Sequence, residues 1–285
     1  MSAETIFWIV HLPMMVLFLL GMWLVFANWL KGSVNGQAGS SAGRKTGTVL
    51  RNILRTILSR KLILLIQAFF VEAWFNRRLF RNDWRRWISH FALVSGFLLL
   101  MSLSGLSALA DKLFLHFWHQ LEEVTWIALW ANPDHPLTAI LNEIGALLMT
   151  GGLLYFFIRR CRGRAEQLRT GPLDWWMLLG LSLILLTGWI TTIVRLNSSH
   201  VHPPTYFAFI SYPLALLFRW LPLPWDGLFD VLYVLHGLLT SVVIVTIPFS
   251  KFMHVIAGAL VTMINQVDED AARRGWEKGA AHGRA

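Results

Sequence analysis

Long, uninterrupted apolar runs are the dominant pattern in this chain, and polar positions collect in the segments between them. Five of the runs exceed the roughly 18 residues that mark a helix able to cross a bilayer. Their apolar positions are continuous rather than alternating, which favours membrane helices over barrel strands. The predicted spans are residues 6–29, 87–109, 137–158, 173–196 and 227–250. The pattern therefore predicts an all-α integral membrane protein built as a five-helix transmembrane bundle.

The segments outside these spans predict a membrane domain over residues 1–264 and a solvated cytoplasmic tail over 265–285 with no reason to fold alone. An apolar stretch at 61–78 has basic residues at both ends, so we expect an amphipathic segment along the cytoplasmic surface. A second stretch, at 206–225, is interrupted by three prolines and an arginine, and we place it at the outer surface. Residues 32–48 are rich in glycine and serine and predict a flexible linker.

Composition supports the membrane assignment. Hydrophobic residues make up 55% of the 285-residue chain and charged residues 14%, against about 25% charged in soluble domains. The fifteen tryptophans suit membrane–water interfaces, where one ring edge is wet and the other is apolar. Because Cys161 is the one cysteine, the chain can form no internal disulfide and cannot by itself hold an iron–sulfur cluster. We interpret Cys161 as an unreactive free thiol.

The distribution of positive charge predicts the orientation of the chain. Of the 25 lysines and arginines, 22 fall in residues 31–86, 159–170 and 251–285, and the other three are Lys112, Arg195 and Arg219. The positive-inside rule then puts the N-terminus outside and the C-terminus in the cytoplasm. The net charge of +9 therefore mostly reflects the orientation of the chain in the membrane, and it does not indicate nucleic-acid binding. It also marks a docking face for acidic lipid or a soluble subunit.

Two histidines frame the fifth span. His236 and His254 lie 18 residues apart, which is about five turns and about 27 Å along a continuous helix. Both would face the same way, one near each surface of the roughly 30 Å hydrocarbon layer. Ionisable residues inside a membrane indicate function by default, and imidazole is a common axial ligand of haem iron. The alternative is a pair of interfacial histidines bonded to backbone.

A second histidine matches the cytoplasmic end of that span in depth. His90 lies just inside the second span, four residues after Arg86, at the depth expected for His254. We therefore predict a bis-histidine haem site from His90 and His254. Arg86 and Lys251 lie at the same edge, where they could pair with haem propionates.

The motifs around these histidines resemble a known family. The stretches "LHGLLTSVVIVTIPFSKFMH" and "RRWISH" resemble the last span and the start of the second span of the gamma subunit of membrane-bound respiratory nitrate reductase. The stretch "DWWMLLGLSLILLTGWITTIVR" resembles the related cytochromes of heterodisulfide-reductase-like and dissimilatory sulfite-reduction-linked complexes. The resemblance covers most of residues 6–264.

This resemblance implies a b-type cytochrome of a bacterial or archaeal cytoplasmic membrane. Such a subunit passes electrons between membrane quinone and a cytoplasmic iron–sulfur subunit. By the same resemblance, His90 and His254 ligate the iron of the haem nearer the cytoplasm. His236 ligates the iron of a haem nearer the outer surface.

The chain departs from the nitrate reductase pattern at one ligand. That pattern has a second histidine ten residues after the first on span two, where this chain has Leu100. His236 therefore lacks its expected partner, so that two haems are favoured and one remains the alternative. The candidates for the missing ligand are His11 as first choice, then His200 and His202, with Met101 last.

Other polar residues suggest a quinone site near the outer surface. Glu143 lies about seven residues inside the third span, where it could bond a quinol hydroxyl, accept its proton, or pair with a neighbouring helix. Lys112 and Arg195, at the outer edge, could contact quinone or simply be solvated. The chain contains no Gly-rich phosphate loop, HExxH motif or nucleophile elbow, so we predict no catalytic residue.

The sequence thus predicts a membrane cytochrome b subunit of a respiratory-type redox complex. In this hypothesis quinol is oxidised near the outer surface, and electrons cross through haem b to a cytoplasmic iron–sulfur partner. The reverse direction uses the same residues, and a single inner haem would move the quinone site toward the cytoplasm. The alternatives are a haem-free membrane anchor that recruits a soluble enzyme and a proton transporter that uses histidines as relays. Neither explains the matched depth of His90 and His254.

Overall fold

The computed structural model of the protein describes residues 2–29, 31, 41–59, 61–110, 125–162, 171–201 and 205–282. Five long helices dominate these residues. They are α1 (Ala3–Trp29), α5 (Trp84–Ala108), α7 (Pro136–Cys161), α8 (Pro172–Arg195) and α10 (Trp225–Thr246). Each overlaps almost completely with a stretch long and apolar enough to cross a membrane. The described residues therefore confirm an all-helical structure with five long apolar helices, and the protein is a multi-pass membrane protein.

Shorter helices connect or extend the long ones. They are α2 (Ala42–Ile57), α3 (Lys61–Ala68), α4 (Arg77–Asn82), α6 (Thr125–Ala131), α9 (Ser211–Phe218) and α11 (Met253–His282). A π-helical segment, Phe69–Trp74, continues α3. Asn76 ends this stretch with a positive φ of 51° and its side chain accepts a hydrogen bond from the backbone N–H of Leu79. It thereby caps α4.

Two segments are more regular than the sequence suggested. The predicted linker at 32–48 is wrong from residue 42 onward, since α2 begins there. The predicted tail is helical to residue 282, because α11 extends the apolar segment Met253–Gln266 into a run rich in alanine, glutamate, arginine and lysine. These are strong helix formers.

The fifth span ends before His254, which corrects the geometry expected for the histidine pair. Helix α10 ends at Thr246, a 3₁₀ turn covers Ile247–Phe249, and α11 begins only at Met253. Pro248 explains the break, because it has no N–H to donate and its ring clashes with the preceding turn. His236 and His254 therefore do not share one continuous helix, and the argument that both face the same way fails.

The chain divides into two compact units. The first comprises residues 1–14 and 88–243. In it, α5 packs against α7 through glycines, and a Cβ added at Gly96 would lie 2.6 Å from the carbonyl oxygen of Gly145. A Cβ on Gly152 would likewise lie 2.8 Å from the carbonyl oxygen of Ser89. Such backbone-to-backbone approach is how small residues associate membrane helices.

The second unit comprises residues 15–87 and 244–285. Helix α11 packs against α3 and the π-helical segment, and α2 packs against α3. Gly21 of α1 lies against the 3₁₀ turn, where its added Cβ would meet the ring of Phe249 at 3.0 Å and Pro248 at 3.1 Å. This unit therefore joins one end of α1 to the break that follows α10.

Candidate functional site

His236 is a half-buried histidine of α10 held by a hydroxyl group on α8. Its Nδ1 lies 3.0 Å from Oγ1 of Thr187. The Thr187 hydroxyl is 2.8 Å from the carbonyl oxygen of Leu183, to which it donates. A Cβ at Gly188 would lie 3.2 Å from Cε1 of His236, so the glycine makes room for the imidazole.

His11 is held in the same manner by a hydroxyl group on α10. Its Nδ1 lies 2.8 Å from Oγ of Ser241, a residue only 1% exposed. Ser241 Oγ donates to the carbonyl oxygen of Gly237 at 2.7 Å. The ring of Phe7 stacks on His11 with centroids 4.9 Å apart and planes 14° apart. The position and tilt of His11 are therefore fixed on two sides.

These contacts select one tautomer of each neutral histidine. A hydroxyl has one proton, and Ser241 and Thr187 each donate theirs to a backbone carbonyl. The hydroxyl oxygen must then accept from the histidine, which puts the ring proton on Nδ1. The Nε2 atom keeps its lone pair, and that of His11 has no hydrogen-bond partner among the described residues. An imidazole in this state is ready to ligate a metal through Nε2.

His236 belongs to α10, and His11 contacts the same helix nearby in sequence. His11 reaches it at Ser241, five residues after His236, which is about 7.5 Å along the helix. The close approach of α1 depends on Gly237, where an added Cβ would lie 2.3 Å from Cδ2 of Phe7. The structure thus brings the first-choice partner, His11, to α10, but Ser241 and His236 are about 140° apart around that helix, so the two histidines lie on different sides of it.

A buried donor without a partner lies next to His11. Among the described side chains, the Nε1–H of Trp8 is buried and makes no hydrogen bond, and its ring is edge-on to His11 at 5.8 Å. An open cavity of about 450 Å³ runs along the same turns and is lined by Glu4, Thr5, Trp8, Ile9 and Leu12. An orphaned buried donor is costly, so this place suits a ligand with an acceptor oxygen.

The two histidines predicted for the inner haem lie in different compact units. His90 is half-buried on α5, next to the buried Ser89. His254 is exposed in the first turn of α11, where its Nδ1 contacts the carbonyl oxygen of Lys251. Their pairing stays a prediction. The candidate propionate partners Arg86 and Lys251 are both exposed.

Arg195, predicted at the outer edge, makes a bidentate ion pair with Asp134. Its Nη1 and Nη2 atoms lie 2.7 Å from the two carboxylate oxygens of Asp134, which is 2% exposed. Parallel bonds of this kind fix the guanidinium in one plane. Arg195 therefore joins the end of α8 to the turn before α7.

Glu143 is also satisfied by its own chain. One carboxylate oxygen accepts from the backbone N–H groups of Ile210 and Ser211 at 3.0 and 3.2 Å, and the other accepts from Oγ of Ser211 at 2.6 Å. The carboxylate thereby caps the start of α9 from α7. This matches the alternative of a carboxylate paired with its neighbours, while a quinone contact stays untested.

The other outer-ligand candidate that the structure describes, His200, has different neighbours. His200 is exposed, tilts against the ring of Phe229 at 4.8 Å, and lies 3.7 Å from a carboxylate oxygen of Asp226. Leu100, at the missing ligand position, packs against Gly145. Lys112 and His202 lie outside the described residues. Among the described residues no cluster of three or more His, Cys, Asp or Glu could hold a metal ion, so a site here would use a histidine pair.

Sequence reasoning misses the residues that support the two histidines. Thr187 and Gly188 stand out only as part of a resemblance, while Ser241 and Phe7 carry no signal. A hydroxyl in a membrane helix usually bonds its own preceding turn. Only the helix packing shows that these two hydroxyls also contact histidines.

Comparison with known proteins gives distant relatives of one kind. The chain is 25% identical over 267 residues to a subunit of the dihydromethanophenazine:CoB–CoM heterodisulfide reductase of Methanosarcina acetivorans, covering 89% of each chain. It is 24% identical to the corresponding subunit of Methanosarcina mazei, covering 72% of this chain and 69% of that one.

A bacterial relative extends the comparison. The EtfAB:quinone oxidoreductase of Syntrophomonas wolfei is 23% identical over 93% of this chain, which spans 34% of that protein. No protein-family model matches the chain, and no solved structure does. These relatives support a membrane redox-subunit family, and the part of the resemblance that concerns heterodisulfide reductase is confirmed at that level.

Proposed function

We propose that the chain is the membrane cytochrome b subunit of a redox complex, exchanging electrons between quinone and a cytoplasmic iron–sulfur subunit. The relatives are named a subunit of a heterodisulfide reductase and a quinone oxidoreductase, which supports this class of complex. The five apolar helices supply the membrane domain. The nitrate-reductase-like details and the haem belong to the proposal.

The observation that carries the proposal is the pair of hydroxyl-anchored histidines on α1 and α10. The hydroxyls of Ser241 and Thr187 contact Nδ1 of His11 and His236, and their own bonds to backbone carbonyls favour the Nδ1–H tautomers. Axial haem ligands need this state, in which Nε2 is free for iron and Nδ1–H is fixed by an acceptor. Each histidine therefore fits the role of a haem ligand, and haem b would supply a one-electron carrier there.

The surrounding side chains have definable roles at such a site. The Phe7 ring stacks on the His11 ring, which limits rotation of the imidazole about its side-chain bonds. Gly188 and Gly237 leave the space that the His236 ring and the Phe7 ring occupy. The buried Nε1–H of Trp8 can donate to a carboxylate or quinone oxygen next to His11.

The second haem and the partner follow from the resemblance and the charge pattern. His90 and His254 would ligate the inner haem, with Arg86 and Lys251 near its propionates. Part of the basic face on the proposed cytoplasmic side would meet the iron–sulfur subunit. In this arrangement each electron that crosses the membrane contributes about 2.3 kcal/mol of free energy per 100 mV of membrane potential.

The test is haem content of the purified, full-length protein. We expect a reduced-minus-oxidised cytochrome b spectrum and two haems per chain. His11→Ala and His236→Ala should each remove one haem, and His90→Ala the other. His200→Ala is the matched control, since its ring lies on Phe229, and should keep both.

Two outcomes would contradict the proposal. A protein without a b-type α-band would favour the haem-free anchor. Full haem in His11→Ala together with haem loss in His200→Ala would move the outer ligand to the segment after α8.

A further inference from the structure

The polar segment between α1 and α5 presents a surface on which exposed leucines adjoin arginines. Residues 31–61 carry seven basic residues, and residues 5–71 contain no aspartate or glutamate. Arg44, Arg51 and Arg55 of α2 are all exposed. Leu54 of the same helix and Leu58, the residue directly after it, are 58% and 86% exposed. Basic side chains on one face beside apolar ones on the next are typical of a helix that lies in the membrane interface.

The register of α2 separates these residues into two neighbouring stripes. The arginines at 44, 51 and 55 follow one stripe, and the leucines at 54 and 58 follow another about 60° around the helix. Helix α3 continues the apolar surface, since Ile63, Ile66 and Phe70 are 61%, 46% and 48% exposed and recur every three to four residues. Helix α3 also packs into the second unit, through its contacts with α11.

The ends of the segment are fixed at membrane helices. Trp29 ends α1 and Trp84 begins α5, and both rings are largely exposed, at 46% and 60%. Tryptophan in such a position marks the membrane–water interface. Helix α2 has 16 residues, about 24 Å, and so is shorter than the roughly 30 Å of a spanning helix.

We propose that α2 and α3 form an in-plane helical pair that binds anionic phospholipid. The leucine and isoleucine stripes enter the boundary of the acyl chains, and the α2 arginines bind headgroup phosphates. Three facts favour lipid over a soluble partner: the interfacial tryptophans at both ends, apolar side chains directly beside the arginines, and a segment without acidic residues. This proposal does not rest on haem binding and holds whether or not the redox function does.

The test measures the depth of spin labels in the full-length protein. Cys161 is the one cysteine and is exposed, so Cys161→Ser gives a clean background for Leu54→Cys and Leu58→Cys. The labelled proteins are placed in nanodiscs of phosphatidylcholine with or without phosphatidylglycerol. Relaxation by oxygen, which enters the bilayer, is compared with relaxation by a water-soluble nickel chelate. A label on Cys161 itself provides a reference site.

We expect both α2 labels to favour oxygen in nanodiscs that contain phosphatidylglycerol. Arg44→Gln, Arg51→Gln and Arg55→Gln together should lower the ratio of inserted to water-exposed label about a hundredfold, since each arginine near an anionic surface contributes about fivefold. The matched control replaces Arg77, Arg78 and Arg81 of α4 with glutamine. These are equally exposed, and their loss should leave the ratio unchanged.

Three results would overturn the proposal. The labels could be open to nickel in both lipids, or inserted equally in phosphatidylcholine alone. They could also become protected only when the other chains of the complete complex are present, in which case the surface binds protein.

Discussion

Two groups of intramembrane polar residues, both predicted to be functional, differ in how much of their bonding capacity the chain itself uses. Glu143 and Arg195 have their charged atoms bonded to neighbours within the first unit. His11 and His236 are anchored through one ring nitrogen, which orients the other. An ionisable residue in a membrane is costly in either case. The difference indicates scaffold for the first group and ligand binding for the second.

The largest effect should come from Arg195→Leu. This change leaves Asp134 buried at 2% exposure without its counter-charge, which costs about 3–5 kcal/mol. We expect a large fall in the unfolding temperature in detergent. Arg219→Leu, which removes an exposed arginine, is the matched control and should have little effect. Unchanged stability with lost quinol oxidation would instead make Arg195 a substrate contact.

Gly237→Val should break the histidine group while leaving the charged group intact. The new side chain would clash with Phe7, whose ring lies 2.3 Å from the added Cβ position, so the Phe7 ring must shift and disturb the His11 ring on which it stacks. We expect the His11–Ser241 contact to fail and one haem per chain to be lost, measured by haem content. Gly227→Val, at a position with nothing within 4 Å, is the control and should keep both haems. Two haems in both variants would show that α1 supplies no ligand.

Glu143→Gln tests the scaffold role of the charged group. The amide retains one acceptor oxygen where the carboxylate serves three donors, so at least one buried donor at α9 loses its partner. We expect a loss of about 1–3 kcal/mol of stability, measured by unfolding in detergent, with haem content unchanged. Asp230→Asn, at an exposed position of α10, provides the control. A stable variant that binds quinol but cannot oxidise it would return Glu143 to proton transfer.

The five spans could be predicted because a membrane-spanning helix needs a continuous run of apolar residues, which is visible directly in the sequence. The break after α10 had a signal in Pro248, but the five-turn relation between His236 and His254 assumed an unbroken helix. Helix α2 was missed because Gly43 and Gly47 gave its first turns the composition of a linker. The partners of Glu143 and Arg195 lie 67 and 61 residues away, and such pairings depend on tertiary packing.

The histidine site was predictable only in part for the same reason. His236 was found from its position in an apolar run, and His11 was chosen by depth. Neither argument could identify Ser241 or Thr187, because each hydroxyl also bonds its own helix and so has a local explanation. A hydroxyl that already donates to its own backbone is well placed to accept from a ligand histidine, and this is a pattern to look for in other membrane helices.

The smallest and most specific effects should come from the anchoring hydroxyls themselves. Thr187→Val and Ser241→Ala remove the acceptor of the Nδ1–H, which loosens the ring and lowers its basicity as a ligand. We expect haem affinity to fall about 10–100-fold at the outer site, and the reduction potential of that haem to rise, as measured by redox titration. Thr192→Val and Ser182→Ala are matched controls on α8, because these hydroxyls bond only backbone carbonyls. If all four variants behave alike, the hydroxyls serve helix packing alone, and the difference between the two groups of polar residues disappears.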